Sequence, residues 1–227
     1  MIWNLINRLI KFASSKKQME KTDKKTDILK AAEMLFAEFG FEGTSTRQIA
    51  KESGANMAMI NYYFGSKEGV FLEIMEDRIC GFKTQLNQIN EEQIPAKEKL
   101  LKVVDQYTTR IFSNITFHKM MHRELSLTQR PDIFKQINDA MASNRMVIEK
   151  IIERGIAEGT FRKVDIRMSI ATIMGTITLI ANQPSKVEDN NFDINNEKQR
   201  EVLRKRLVAH LQDFINTHLA KPTNDTE

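Results

Sequence analysis

The chain has few of the residues that interrupt regular structure. Of its 227 residues, 9 are glycine and 4 are proline. Both residue types mark turns and helix ends, so their scarcity favours long helices. A single cysteine, Cys80, excludes an internal disulfide framework and predicts a cytoplasmic protein. No run of alternating apolar and polar residues is long enough to predict a strand, and the sequence therefore predicts an all-α fold.

The sequence also lacks a long hydrophobic run. Its longest apolar stretch, residues 169–181, is interrupted by Thr172, Thr176 and Thr178. A membrane-spanning helix needs roughly 20 predominantly apolar residues, so this stretch is too short. We interpret it as a buried helix and expect no membrane partner.

The net charge of +4 is confined to one end of the chain. Residues 1–67 contain 11 Lys and Arg against 7 Asp and Glu, whereas residues 68–227 contain 23 of each. A basic excess at one end is typical of a module that binds a polyanion such as DNA. A chance excess of a few lysines would give the same count, so charge alone leaves both interpretations open.

Two short helices around Gly54, at residues 46–53 and 57–64, predict a helix-turn-helix. Ser45 and Gln48 form a capping-box pattern at the start of the first. In the second, Ile60 and Phe64 face inward on the helical period. The outward face carries amide, thioether and phenol groups, which suit the base edges and phosphates of a major groove. This face comprises Asn56, Met57, Ala58, Asn61 and Tyr62.

The segment "TSTRQIAKESGANMAMINYYFGSKEGVF", residues 44–71, resembles the DNA-binding signature of TetR-family transcription regulators. The resemblance covers residues 26–75 and is nearest to the CecR-type branch. It implies that Thr46 and Lys67 contact phosphate and that Arg47 reaches a base. Asn61 departs from the pattern, because the family usually has tyrosine there. The implied contacts of the recognition helix are Met57, Ala58, Asn61, Tyr62 and Tyr63.

The resemblance implies an N-terminal three-helix DNA-binding domain, residues 19–68, and a larger helical ligand-binding and dimerisation domain, residues 69–220, followed by a tail, residues 221–227. The expected function is a ligand-released repressor, not an enzyme, that binds a palindromic operator as a homodimer. Dimerisation would use the last two long helices, about 165–183 and 196–219. The apolar residues predicted at this interface are Ile170, Ile173, Ile177, Ile180, Leu207, Leu211 and Phe214.

A small-molecule inducer is expected in the larger domain, without a cofactor or a resident metal. Methionine adapts its shape to a ligand, and histidine supplies polar contacts. The predicted pocket residues are Tyr107, His118, Met121, His122, Met141 and Met174. One alternative is an all-helical metal protein or enzyme, because His118 and His122 lie one helical turn apart, with Glu124 nearby.

Residues 1–18 form an amphipathic extension, with Ile2, Leu5, Ile6, Leu9 and Ile10 on one helical face. Such a segment binds membrane surfaces or DNA, so a peripheral membrane protein held by residues 1–12 is a second alternative. Translation starting at Met19 is equally compatible with the sequence, and the extension would then be absent from the native protein.

Overall fold

The computed structural model describes residues 24–126 and 131–221. The extension predicted at residues 1–18 and almost all of the tail lie outside these residues. The chain divides into two compact units, the first ending at Met75 and the second beginning at Glu76. This division falls within one long helix, Lys67–Glu91.

The described residues of the first unit form three helices and the start of a fourth. Helix α1 covers residues 24–43, α2 Thr46–Glu52, and α3 Met57–Phe64, and α4 begins at Lys67. Three phenylalanine rings form the centre of this unit. The ring of Phe41 lies 5.3 Å from that of Phe36 and 5.3 Å from that of Phe71. Such aromatic contacts add to the free energy gained by burying the rings.

The turns of the first unit have the local chemistry predicted from the sequence. Ser45 Oγ accepts a hydrogen bond from the Gln48 backbone N–H, and Gln48 Oε1 accepts one from the Ser45 backbone N–H. The capping box at the start of α2 is therefore confirmed. Gly54 and Gly65 have φ of 60° and 74°, and glycine adopts this left-handed backbone without strain.

In its described residues, the second unit contains the rest of α4 and five further α-helices. These are α5 Ala96–Ser113, α6 Ile115–Ser126, α7 Pro131–Ala157, α8 Ile166–Asn182 and α9 Glu197–Phe214. A 3-10 turn at Pro184–Lys186 follows α8, and a π-helical segment at Ile215–Leu219 follows α9. Only an isolated bridge between Phe161 and Ala220 has β geometry among the described residues, so the all-α prediction is confirmed. None of the helices described here has the length and apolar character to cross a membrane.

The apolar stripes of α8 and α9 form the core of the second unit, where they pack with α5 and α7. Ile173, Ile177 and Leu211 are at most 1% exposed. This placement corrects the predicted dimer surface, because the protomer already buries these side chains in its own core. The sequence showed a stripe but not which helix it packs against. The residues affected are Ile170, Ile173, Ile177, Ile180, Leu207 and Leu211, which are buried, and Phe214, which packs half-buried against the same core.

Gly69 allows the end of α3 to lie directly against the start of α4. A Cβ atom added at Gly69 would lie 1.9 Å from the carbonyl oxygen of Phe64, which is backbone and cannot turn away. We therefore expect Gly69→Ala to reduce the free energy of unfolding by about 1–3 kcal/mol, as overpacked sites do. Thermal and urea denaturation would measure this change.

Gly43→Ala is the matched control in the same unit. Its added Cβ would approach nothing closer than Phe39 Cβ, at 3.4 Å, which is ordinary van der Waals contact. We expect this variant to be much less destabilised than Gly69→Ala. Equal stability of the two variants would contradict the proposed role of Gly69.

Candidate nucleic-acid interface

Helix α3 separates its inward and outward residues clearly. Ile60 is fully buried, whereas Tyr62 is 72% exposed and Met57 is 40% exposed. Ala58 and Asn61 are exposed on the same face, one helical turn apart. Tyr63 is half-buried, with its ring edge-on to that of Tyr62 at 5.2 Å. We call Met57, Ala58, Asn61 and Tyr62 the recognition face.

Asn56 has a structural task that the sequence interpretation did not assign. It is the N-cap of α3, and its Oδ1 accepts a hydrogen bond from the Met59 backbone N–H at 2.9 Å. The amide oxygen is therefore engaged at the helix end, where capping stabilises the first turn. On the neighbouring α2, Arg47 is exposed and Thr46 is half-buried.

Lys67 forms its hydrogen bond and its ring contact within the first unit. Its Nζ donates a hydrogen bond to the carbonyl oxygen of Phe41 at 2.8 Å and lies 4.2 Å from the centre of the Phe41 ring. The carboxylate of Glu42 lies 3.9 Å from the same nitrogen. Lys67 therefore joins the start of α4 to the end of α1. An ammonium group has three N–H donors, so these contacts are compatible with the predicted phosphate contact.

The residues predicted to form a ligand pocket fall into two sets in the second unit. Tyr107 is half-buried and forms a side-chain hydrogen bond with Thr178, and its ring centroid lies 5.1 Å from that of Phe82, with the two rings tilted. Burial raises the pKa of Tyr107, and the Thr178 hydrogen bond opposes that shift. His118 is buried, and Met121 and Met174 are half-buried.

The other set is exposed to solvent, and its place in a ligand pocket stays a prediction. Met141 is 40% exposed, and His122 is exposed. His118 and His122 are four positions apart on α6, and the rotation of about 40° over four helical residues carries His122 from the buried face to its exposed edge. No group of three or more His, Cys, Asp or Glu side chains suited to a metal ion occurs in the part of the chain that the structure describes. The alternative of a His118–His122 metal protein or enzyme therefore gains no support.

Two polar residues of the interior were absent from the predicted pocket. The guanidinium of Arg78 lies 4.3 Å from the centre of the Phe117 ring. Asn144 is 8% exposed and donates from Nδ2 to the Ile79 carbonyl oxygen at 3.1 Å. The sequence contained a signal for Asn144, because it shares the apolar stripe of α7. That stripe contains Ile137, Val147, Ile148 and Ile151.

Two family models match the chain. "Bacterial regulatory proteins, tetR family" matches residues 28–74, and "Tetracyclin repressor-like, C-terminal domain" matches residues 93–182. The HTH-type transcriptional repressor NicS of Pseudomonas putida is 32% identical over 155 residues, covering 65% of this chain and 70% of that protein. This chain belongs to the TetR family. It is a DNA-binding transcriptional regulator, in agreement with the resemblance found in residues 44–71.

Other relatives of the TetR-family chain are also regulators rather than enzymes. The fatty acid metabolism regulator protein of Bacillus subtilis is 24% identical over 159 residues, covering 70% of this chain and 81% of that protein. The solved structure of FadR from Bacillus subtilis in complex with stearoyl-CoA has the same fold. It superposes with a TM-score of 0.68 at 22% identity and covers 82% of this chain and 96% of that one.

The CecR-type branch stays a prediction. The HTH-type transcriptional dual regulator CecR of Shigella flexneri is 48% identical over 48 residues. That match covers 21% of each chain, which is too little to assign the whole regulator to a branch.

The burial of His118 makes stability depend on pH. Desolvation lowers the pKa of His118 from 6.5 to about 4, and the charges of His122 and Arg78 act in the same direction. Between these values the unfolded chain binds the proton and the folded chain does not, so acidification favours unfolding. From about pH 7 to about pH 5 this residue should lower the free energy of unfolding by about 2 kcal/mol.

Urea denaturation of wild type and His118→Leu at both pH values would measure this contribution. In the Leu variant, the free energy of unfolding should lose the part of its pH dependence that comes from His118. His210→Leu is the control, because His210 is an exposed histidine on α9 and is not among the charges that lower the pKa of His118. An unchanged pH dependence in His118→Leu would show that His118 does not titrate as inferred.

Proposed function

We propose that this regulator is a ligand-released repressor that binds a palindromic operator as a homodimer through the recognition face of α3. The exposure of that face supports the proposal most directly. Met57 and Tyr62 are large side chains that the unit leaves largely exposed, and Asn61 is exposed between them in sequence. Such side chains gain contacts when α3 enters a major groove.

Asn61 is the residue of the recognition face best suited to read a base. Its side-chain amide is exposed, and Asn forms paired hydrogen bonds to N6 and N7 of adenine. Tyr62 and Lys67 carry groups suited to phosphate, which positions the protein without reading sequence. Arg47 on α2 is exposed and long enough to reach either a base or the backbone.

The proposed homodimer uses the outward face of α8, not the buried stripe. Met168 is 64% exposed and Leu179 is 46% exposed. Thr172 and Gly175 are exposed between them at helical spacing, and small residues allow a partner helix to approach closely. On α9, Val202 adds a side chain that is 67% exposed. A two-fold dimer would present two recognition helices to successive major grooves.

The inducer is proposed to bind in the second unit. The solved structure of FadR from Bacillus subtilis in complex with stearoyl-CoA supports the proposal that this chain, too, binds a small molecule. Helix α4 supplies residues to both units, so it is the element through which ligand binding would change the distance between the two DNA-binding units of a dimer. The operator requires one distance between the two DNA-binding units. A ligand that binds more tightly to the conformation with a different distance lowers operator affinity, by the difference between its binding free energies for the two conformations.

The first test of the proposal concerns base readout. A selection from random duplexes would identify the operator of the wild-type protein. Asn61→Ala should then lose about 1–3 kcal/mol of preference at one base pair in each half-site, while its non-specific affinity stays nearly unchanged. Asn87→Ala is the control, because Asn87 is an exposed asparagine on α4 outside the recognition face.

The selected sequences decide whether Asn61 reads a base. Identical preferences of Asn61→Ala and wild type at every position would exclude that role. Failure of the wild-type protein to enrich any sequence would overturn the proposal of an operator-binding repressor.

The second test concerns the dimer. A glutamate in place of Leu179 would have to be buried, without a partner, between two α8 helices, which is costly. Leu179→Glu should therefore give folded monomers with at least about tenfold weaker operator binding, because each monomer reads only one half-site. Analytical ultracentrifugation and circular dichroism would measure assembly and folding.

Met146→Glu is the matched control for this test. Met146 is 54% exposed on α7, outside the proposed interface. This variant should assemble and bind as wild type does. A Leu179→Glu protein that sediments like the wild type would contradict the α8 interface.

A further inference from the structure

Two helices of the second unit donate side-chain hydrogen bonds to the backbone of α4. A guanidinium nitrogen of Arg110, on α5, donates to the carbonyl oxygen of Arg78. Nδ2 of Asn144, on α7, donates to the carbonyl oxygen of Ile79 at 3.1 Å. The two acceptors are successive residues of α4, just after the second unit begins at Glu76. We call Arg110 and Asn144 the α4 clamp.

The bonds of the α4 clamp differ from an ordinary helix cap. The carbonyl oxygens of Arg78 and Ile79 lie inside α4, where each already accepts from the N–H four residues further on. A carbonyl oxygen has two lone pairs, so it accepts a second donor. At the other end of α4, Lys99 donates to the carbonyl oxygen of Asn90, in the last turn, where intrahelical partners are lacking. Lys99 therefore replaces a missing helical bond, whereas the clamp adds bonds that α4 does not need for its own formation.

Asn144 is an unfavourable residue for the core unless its contact with α4 matters. It lies on the apolar stripe of α7 and is 8% exposed, and its Oδ1 is buried without a hydrogen-bond partner among the described residues. An unpaired buried oxygen costs its desolvation, and a leucine here would avoid that cost. The hydrogen bond to Ile79 is what asparagine supplies and leucine does not. Asn144 therefore serves the placement of α4 rather than the stability of the core.

Gly81 gives the guanidinium of Arg110 access to the α4 backbone. A Cβ atom on Gly81 would lie 3.3 Å from Arg110 Nη2, which is closer than ordinary van der Waals contact. A side chain at residue 81 would therefore push the guanidinium away from the Arg78 carbonyl oxygen. Glycine is less favourable than alanine inside a helix. Its presence within one turn of Arg78 thus favours the Arg110 contact at the expense of helix stability.

We propose that the α4 clamp fixes the direction in which α4 leaves the second unit, and with it the spacing of the two DNA-binding units in the homodimer. Arg110 and Asn144 are thus positioning residues for operator binding. Apolar packing is non-directional, so by itself it permits small rotations and shifts of α4. A hydrogen bond to one particular carbonyl requires a donor within about 3.2 Å and near the N–H direction, which restricts both movements.

This inference rests on the proposed function, because it assigns residues to the role that α4 has there. A palindromic operator fits one spacing of the two DNA-binding units. Without the clamp, α4 samples more directions and a smaller fraction of dimers has the spacing that fits. The apparent affinity for the operator falls by that fraction.

The experiment uses the full chain and the operator selected by the wild-type protein. Binding is measured by fluorescence anisotropy to the palindrome, to palindromes with one base pair more or less between the half-sites, and to a single half-site. The wild type should bind the selected spacing at least about tenfold more tightly than the other two spacings.

Gly81→Ala and Asn144→Leu each remove one contact of the α4 clamp. Each variant should bind the selected palindrome about threefold to tenfold more weakly, the factor that corresponds to one hydrogen bond. Each should also discriminate less among the three spacings. Affinity for the single half-site should stay within about twofold of wild type, because neither residue belongs to the recognition face.

Stability separates positioning from a structural role. In urea denaturation both variants should be at least as stable as wild type, because alanine forms helix better than glycine and leucine removes the unpaired Oδ1 of Asn144. The two substitutions lie on different helices, so misfolding of one leaves the other as the test. Asn87→Ala is the control, because Asn87 is exposed on α4. It should match wild type in stability, affinity and spacing preference.

Several results would overturn the α4 clamp. These are folded variants that keep the wild-type affinity and spacing preference, equal weakening of half-site and palindrome, lower stability with an unchanged spacing preference, and a wild type that binds all three spacings equally. In each case a wild-type dimer bound to its palindrome would leave the proposed repressor function standing. A wild-type protein that binds no operator would overturn that function as well.

Discussion

The position of the recognition helix depends on Phe41, where the end of α1, the start of α4 and the aromatic centre of the first unit meet. Its ring packs against Phe36 and Phe71, and its carbonyl oxygen accepts a hydrogen bond from Lys67. A buried carbonyl at a helix end must be satisfied, and here the first residue of α4 satisfies it. Because α3 leads directly into α4, this junction also fixes the direction of the recognition face.

In the second unit, the apolar stripes of the helices pack into the core of the protomer, and only the remaining surface is available to an assembly. Helices α8 and α9 turn their isoleucine and leucine residues toward α5 and α7. What remains outside is a sparse face of Met168, Leu179 and small residues. An interface built on such a face would gain its free energy from close helix approach more than from large side chains.

Local patterns in the sequence predicted the elements well, because caps, glycine turns and helical periods act over a few residues. The capping box at Ser45 and the helix predicted at about 165–183 are examples. That helix begins after Asp165, whose Oδ1 accepts a hydrogen bond from the Met168 backbone N–H. The outward face of α3 was predictable for the same reason. Packing partners were not, because they depend on contacts between distant segments. The sequence therefore predicts a surface where the structure has the buried stripe of α8, and it gives no indication of the contact of Arg78 with Phe117.

Asn56 is the N-cap of α3 and also belongs to the predicted DNA-facing surface, and this combination limits how operator preference can change during evolution. Its amide oxygen caps α3, so replacing it by an aliphatic residue would loosen the helix that reads the DNA. Met57, Ala58 and Asn61 do not cap the helix, and they are exposed. Substitutions that change the preferred operator are therefore tolerated at these three positions. At Asn56 only the few residue types that also cap a helix are tolerated. Two paralogues of this regulator could diverge in target sequence while retaining the same residue at the start of α3.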